Sequence, residues 1–343
     1  MMVNQLSDAF LFLSLSLAVL LFFVLILFYA ERKMAAFFQD RSGPLHHGKA
    51  GTLQPFADLL KLLRKETIIP SGSNKLLFIL APFLVFAPVL AGFSLLPLWP
   101  QSFQEAGRGA GLLLLPALIS MEATGILMAS RASSSRFPIL GAGRAIAQMI
   151  AYEVPLALVL VCIIWICGTA DFRNLELAQT AEGAGGLFPG LRSLGGFFCW
   201  NLLQHPISVL LMPIFFVSIL AESNRAPFDI PEGESEIIGG FHTEYSGFLW
   251  AVFFLAEYAM MLLLSMVMVY LFFGGAASPL PGSGPASQSS FFWLAGKSLV
   301  SGLVMIWLRW SLPRLRADQL SLLAWKLLSP AAFLILLLVV FFY

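Results

Sequence analysis

The chain has 343 residues, of which 59% are hydrophobic and only 11% charged, with a net charge of +1. A soluble domain carries roughly 25% charged residues, so this composition excludes a soluble two-domain enzyme. The net charge singles out no partner and no nucleic acid is expected, while Cys162, Cys167 and Cys199 form no Cys-x-x-Cys pair for zinc or an iron–sulfur cluster.

The apolar residues fall in runs of about 20, enough to cross roughly 30 Å of hydrocarbon. They predict one all-α, polytopic membrane domain over residues 1–343 with about eight spans: Ala9–Ala30, Leu76–Leu98, Ala110–Ala129, Ala145–Gly168, Gly195–Ala221, Gly247–Phe273, Phe291–Leu312 and Leu327–Tyr343. The first run is too long for a cleavable signal and ends in Glu31-Arg32-Lys33 instead of small residues.

The segment Glu31–Lys75 follows. In it Leu53, Phe56, Leu59, Leu60 and Leu63 recur at helical spacing, with Asp58, Lys61, Arg64 and Lys65 between them. This predicts an amphipathic helix at the membrane surface, capped by Thr52 and with Pro55 in its first turn. It is either a surface strut or the wall of a lipid-accessible cavity. A short connector, Ser130–Gly143, carries Arg131 and Arg136.

In the fourth span Arg144, Gln148 and Tyr152 form one stripe, and Glu153 points away from Arg144 toward another helix. Pro155 removes the helical donor to the carbonyl of Ala151. Glu122, Glu153 and Glu257 are carboxyls within spans, where an ionisable group costs several kcal/mol. Two readings stand open for them: a protonated acid hydrogen-bonded between helices, or a carboxyl that passes protons, since desolvation penalises an anion.

The segment Glu222–Ser246 holds Glu222, Asp229, Glu232, Glu234, Glu236 and Glu244 against the single arginine Arg225. Pro227, Phe228, Ile230 and Pro231 interrupt these acids, which predicts a folded loop instead of a solvated charge run. Residues 276–290, rich in Gly, Ser, Pro and Ala, read as a linker. Of the 20 lysines and arginines, all but Arg108, Arg173, Arg192 and Lys297 fall on the side of Glu31–Lys75 and Glu222–Ser246, which is therefore the expected cytoplasmic side.

Other chemistries find no support. Gly141-Ala142-Gly143 lacks the third glycine and preceding strand of a dinucleotide site. No phosphate loop is present, His46, His47, His205 and His242 have no metal-ligand spacing, and no nucleophile stands in a recognisable constellation with a base. No internal repeat of the secondary-transporter kind is visible. These readings alone name no substrate.

The same residues resemble the H-type membrane subunit of respiratory complex I, the proton-pumping NADH:quinone oxidoreductase. The match runs through Ala221-Glu-Ser-Asn-Arg-Ala-Pro-Phe-Asp-Ile-Pro-Glu-Gly-Glu-Ser-Glu-Ile, then Gly240-Phe241, Glu244-Tyr245-Ser246 and Glu257-Tyr258. It includes Glu31-Arg-Lys, Gln39-Asp-Arg41, Gly51-Thr-Leu-Gln-Pro-Phe-Ala-Asp58, Arg144-Ala-Ile-Ala-Gln148, Tyr152-Glu153 and Pro313-Arg-Leu-Arg316-Ala-Asp318-Gln319-Leu320.

The resemblance implies eight membrane helices at the junction with a peripheral arm and a quinone cavity lined at or near Arg32, Arg41, Phe56, Asp58, Phe228 and Phe241. It implies a proton route through Glu222, Asp229, Glu232, Glu234 and Glu236 that continues by Tyr152, Glu153 and Glu257. Quinone is then the substrate, and flavin and iron–sulfur clusters belong to partner subunits, so this chain binds no redox cofactor and catalyses nothing alone. Its partners are the peripheral quinone-site subunits, the other membrane-arm subunits, quinone and lipid. Its place is a bacterial plasma membrane or an organellar inner membrane. The chain departs from the family pattern at Ser130-Arg131-Ala-Ser-Ser-Ser-Arg136-Phe137, where Gly-Trp followed by Asn and an aromatic is usual. Glu122 inherits no role. The alternative is a homologous membrane subunit of a membrane-bound hydrogenase or of a deazaflavin-dependent dehydrogenase complex; hydrogenase relatives replace the Glu244-Tyr245-Ser246 stretch. A free-standing secondary transporter shares the buried acids but not the motifs.

Overall fold

The computed structural model describes residues 2–98, 109–180, 187–188, 195–231, 233–280 and 290–342, with side chains from Leu13 onward except those of Glu234 and Ser235. Arg108, Arg192, Glu232 and residues 281–289 of the expected linker lie outside the described residues.

Among the described residues every regular element is helical. In chain order they are α1 (Met2–Phe38), α2 (Gln54–Arg64), α3 (Lys75–Leu95), α4 (Gly111–Ala132), α5 (Arg136–Cys167), α6 (Phe172–Ala178), α7 (Asn201–Gln204), α8 (Pro206–Glu222), α9 (Glu234–Ile237), α10 (Gly247–Phe272), α11 (Phe291–Ser311) and α12 (Ala317–Phe342). Seven of these, α1, α3, α4, α5, α10, α11 and α12, are long and apolar enough to cross a membrane.

The expected fifth span is the eighth apolar helix, and it differs from the prediction. Gly195–Ala221 is not one helix: a 3-10 turn at Gly196–Cys199 and the single turn α7 precede α8, which has 17 residues. Pro206 drives the residue before it out of the helical region, and His205 is extended at φ −126° and ψ 104°. At 1.5 Å per residue α8 is only about 25 Å long.

Two other boundaries move. α1 continues past Ala30 to Phe38, carrying Glu31, Arg32 and Lys33 on helix faces. α5 starts at Arg136, ahead of the expected Ala145, because Ser135 takes an extended N-cap conformation and Pro138 sits in the first turn, where it displaces no helical donor. The amphipathic α2 forms with Pro55 in its first turn, but its N-cap is Leu53 and Thr52 does not cap it.

α10 is the axis of the bundle. It is apolar on all faces, as a helix must be when neighbours surround it, and every residue from Tyr258 to Phe272 is buried. α3, α11, α8, α1 and α2 pack on it, and α5 bridges α4, α8 and α12. Close approach depends on glycine at α5: a Cβ on Gly141 would sit 2.8 Å from the backbone of Gly240 and Phe241. The acidic segment therefore packs directly onto α5. Residues 221–228 are buried almost throughout, and the amide of Leu315 donates to the carbonyl of Pro227 at 3.1 Å. At the opposite end Lys297 donates to the carbonyls of Phe273 and Ala277, and burial pushes the Glu176 carboxyl up to about 7 against the opposing pull of Lys297 and Arg173.

Candidate functional site

α1, α2 and α10 enclose a cavity of about 300 Å³. α2 lines it with Pro55, Asp58, Leu59, Lys61, Leu62 and Lys65, while Leu53, Phe56, Leu60 and Leu63 of its apolar stripe are exposed. Val24, Phe28, Leu62 and Phe254 supply apolar wall, and the pair Arg32–Asp58, 2.5 Å apart, supplies polar groups together with Lys61 and Lys65. Arg32 is also held over the ring of Phe28 at 4.3 Å, and Asp58 accepts from Gln54 at 3.0 Å. An apolar wall carrying one fixed ion pair suits an elongated apolar molecule with a polar head.

Consecutive helical residues diverge by about 100°, so Arg32 faces this cavity while Glu31 faces the bundle interior. Glu31 is buried and accepts from Arg225 at 3.1 Å, from Arg309 and from the hydroxyl of Tyr258. Arg225 stacks on the Tyr258 ring at 3.9 Å, and Glu257 lies within electrostatic reach of it. α1, the acidic segment, α10 and α11 thus meet at one carboxylate. A buried charge needs partners of opposite sign, and here two guanidinium groups supply them.

The second set of groups runs along α5. Arg144 pairs with Glu236 at 2.5 Å, Gln148 donates to the carbonyl of Ala221 at 2.7 Å and to Asn224 at 3.3 Å, and Tyr152 donates to the carbonyl of Leu320 at 3.1 Å. The stripe read from the sequence therefore holds the acidic segment at its first two turns and α12 at its third. Tyr152 also packs edge-on against Phe228, and Leu320 shortly precedes a π-helical stretch, Leu323–Leu328, that widens α12 beside α5.

Behind this stripe lie three acids. Glu222 is buried, both its carboxyl oxygens lack a hydrogen-bond partner among the described residues, and it feels the like charges of Glu122 and Glu153. Glu122 is buried with one oxygen unpartnered among the same residues. Glu153 is bonded to Ser120 of α4, whose hydroxyl also points at the carbonyl of Pro116 at 2.8 Å. A hydroxyl has one proton. The Ser120 hydroxyl therefore stands between the Glu153 carboxyl and the carbonyl of Pro116.

The remaining acids of the segment are spread. Asp229 pairs with Arg314 at 2.8 Å. Glu236 and Arg314 share a second, polar cavity of about 330 Å³ with Arg316 and Asp318. The backbone of Glu234 opens α9, but its side chain, like all of Glu232, lies outside the described residues. Among the described residues no group of His, Cys, Asp and Glu side chains gathers as a metal site.

A family model described as NADH dehydrogenase matches residues 11–340. The chain belongs to the NADH dehydrogenase family. An H-type subunit of the NADH-quinone oxidoreductase of Cytophaga hutchinsonii is 42% identical over 341 residues, covering 92% of this chain and 93% of that protein. The corresponding NADH-quinone oxidoreductase subunit of Chlorobium luteolum is 42% identical over 313 residues (89% and 81%), and that of Neisseria meningitidis serogroup C 41% over 309 (89% and 82%).

Of the six cavity residues expected for a member of this family, the structure brings together Arg32 and Asp58. Arg41 is exposed and bonds Gln39, and Phe56 is half exposed on α2 outside the cavity lining. Phe228 and Phe241 are buried in two different hydrophobic clusters, Phe228 with Tyr152 and Phe241 with Tyr245 and Phe253. Sequence reasoning missed Glu31, Arg225 and Arg309 as one cluster. The signal available was an arginine alone among acids, which calls for a buried partner. It also left Glu122 without a role, although Glu122 stands with Glu153 and Glu222.

Proposed function

We propose that this chain, a membrane subunit of a proton-pumping NADH:quinone oxidoreductase, forms the membrane entrance for quinone and the first part of the path that couples quinone reduction to proton movement. Support for the entrance comes from the α1–α2–α10 cavity, with apolar walls and the Arg32–Asp58 pair. Support for the path comes from two groups of acids, Glu31 with Arg225, Arg309 and the nearby Glu257, and Glu222 with Glu122 and Glu153, together with Asp229 and Glu236, which are paired with Arg314 and Arg144. The observation that carries the reading is Glu222: a buried carboxyl with no hydrogen-bond partner among the described residues, facing two further acids. A group so placed binds or releases a proton when the charge near it changes.

The chain supplies positions and protons, not electrons. The other subunits of the complex are its partners and hold the flavin and iron–sulfur centres. The acidic segment and α2 share the cytoplasmic side of a bacterial plasma membrane, or the equivalent side of an organelle, on the strength of the lysine and arginine distribution. Single cysteines at Lys49 and Ser235, in a chain lacking the native three, are expected to react with an impermeant thiol reagent only from that side. Labelling of the two from opposite sides would break the topology.

Filling the cavity tests the entrance. Ala251 lines it on α10. Ala251→Trp in the assembled complex is expected to raise KM for a long-tailed quinone several-fold and to change KM for a short-tailed analogue much less, with NADH oxidation by a hydrophilic acceptor unchanged. Equal effects on both quinones would mean that the tail does not pass here.

A further inference from the structure

We propose that the corner formed by α3, α4 and α5 binds the headgroup of an anionic phospholipid. The turn at Ser133–Ser135 joins α4 to α5, and Ser134 donates to the carbonyl of Gly72 at 2.6 Å, which draws the start of α3 to the same corner. Three cations stand there: Lys75 at the first residue of α3, Arg131 in the last turn of α4 and Arg136 at the first residue of α5. All three are exposed, and among the described residues none has an ion pair or side-chain hydrogen bond. Elsewhere at this end Arg144 is engaged by Glu236, Arg314 by Asp229, and Arg225 and Arg309 by Glu31, while Lys61, Arg64 and Lys65 of α2 share with the corner cations the lack of an ion pair among the described residues.

No carboxylate lies in the two connectors, 67–74 and 133–135. Carboxylates flank the corner at Glu66, ahead of the first connector, and at Glu244, which follows the turn Gly240–His242 packed on α4 and α5. Directly below the cations the helices expose apolar side chains: Leu76, Leu80 and Phe83 on α3, Leu127 one turn before Arg131 on α4, and Phe137 and Leu140 beside Arg136 on α5. Charge at the helix ends over an apolar belt is the pattern of an interfacial contact, with long cationic side chains reaching the headgroup layer while acyl chains cover the belt. Unpaired cations over apolar surface are complementary to a phosphate diester with acyl chains. They are a poorer match for a neutral zwitterionic lipid, whose own ammonium competes.

The test uses the assembled complex in nanodiscs of phosphatidylcholine with or without one fifth phosphatidylglycerol, with a photoreactive benzoylphenylalanine in place of Phe137. Each cation near an anionic surface favours binding by roughly fivefold, so cross-linking to phosphatidylglycerol is expected to exceed its share of the lipid several-fold. Arg131→Gln with Arg136→Gln is expected to return it to that share, while subunit content and NADH oxidation by a hydrophilic acceptor stay as in the parent complex. Inorganic phosphate at millimolar concentration is expected not to compete. Cross-linking in proportion to lipid composition in the parent, or cross-linking to a neighbouring subunit in place of lipid, would overturn the proposal.

Discussion

Glu31→Ala is expected to cost the assembled complex about 3–5 kcal/mol of local stability, the range for leaving one member of a buried ion pair uncompensated. Glu31 is the shared acceptor of Arg225, Arg309 and Tyr258, and the Arg225 side chain is only 6% exposed. Its Nε and one Nη already lack partners among the described residues, so removing the carboxylate leaves a buried guanidinium with little but the Tyr258 ring and the nearby Glu257. The measurement is the thermal midpoint at which the chain is lost from the purified complex. Glu31→Gln keeps the shape and two hydrogen-bonding positions and is expected to cost less. Combining Glu31→Ala with Arg225→Met removes both charges and is expected to recover part of the loss. Equal costs for the single and double variants would mean that the cluster acts through packing and not through charge.

This cluster also shows where sequence reading stops. The apolar runs made the helices legible because hydrocarbon thickness fixes their length and leaves few other arrangements. The α5 stripe was legible for a similar reason, since four-residue spacing places Arg144, Gln148 and Tyr152 on one face whatever surrounds them. Glu31 was not: its partners stand 194 and 278 residues away, and nothing local to Glu31-Arg32-Lys33 says which charge turns inward. The break before α8 was present in the sequence as Pro206 but was overridden by the apolar run around it. Glu122 was seen as costly, yet its neighbours on α5 and α8 are a product of packing. The folded character of the acidic segment was readable from its prolines and aromatics, whereas the pairing of Asp229 with Arg314 was not.

The second large effect concerns the acids themselves. Asp229 and Glu236 are each tied to an arginine, so neutralising either leaves a half-exposed cation that water can solvate. Glu222 and Glu153 have no cation paired with them among the described residues. Their replacement by glutamine preserves volume and hydrogen bonding but removes the site at which a proton is taken up and released. The loss therefore falls on proton transfer and not on assembly. A tenfold slower limiting step corresponds to about 1.4 kcal/mol, and a missing proton-transfer group commonly exceeds that.

The most direct measurement is made on assembled complexes in liposomes carrying Glu222→Gln or Glu153→Gln, with the peripheral subunits confirmed present. Quinone reduction and proton pumping are followed together with electron transfer from NADH to a hydrophilic acceptor, which draws electrons before quinone. The account predicts that the first two fall together by about tenfold or more while the third stays at the parent rate. Assembled variants that reduce quinone and pump at the parent rate would contradict it and leave these carboxyls with a structural role alone.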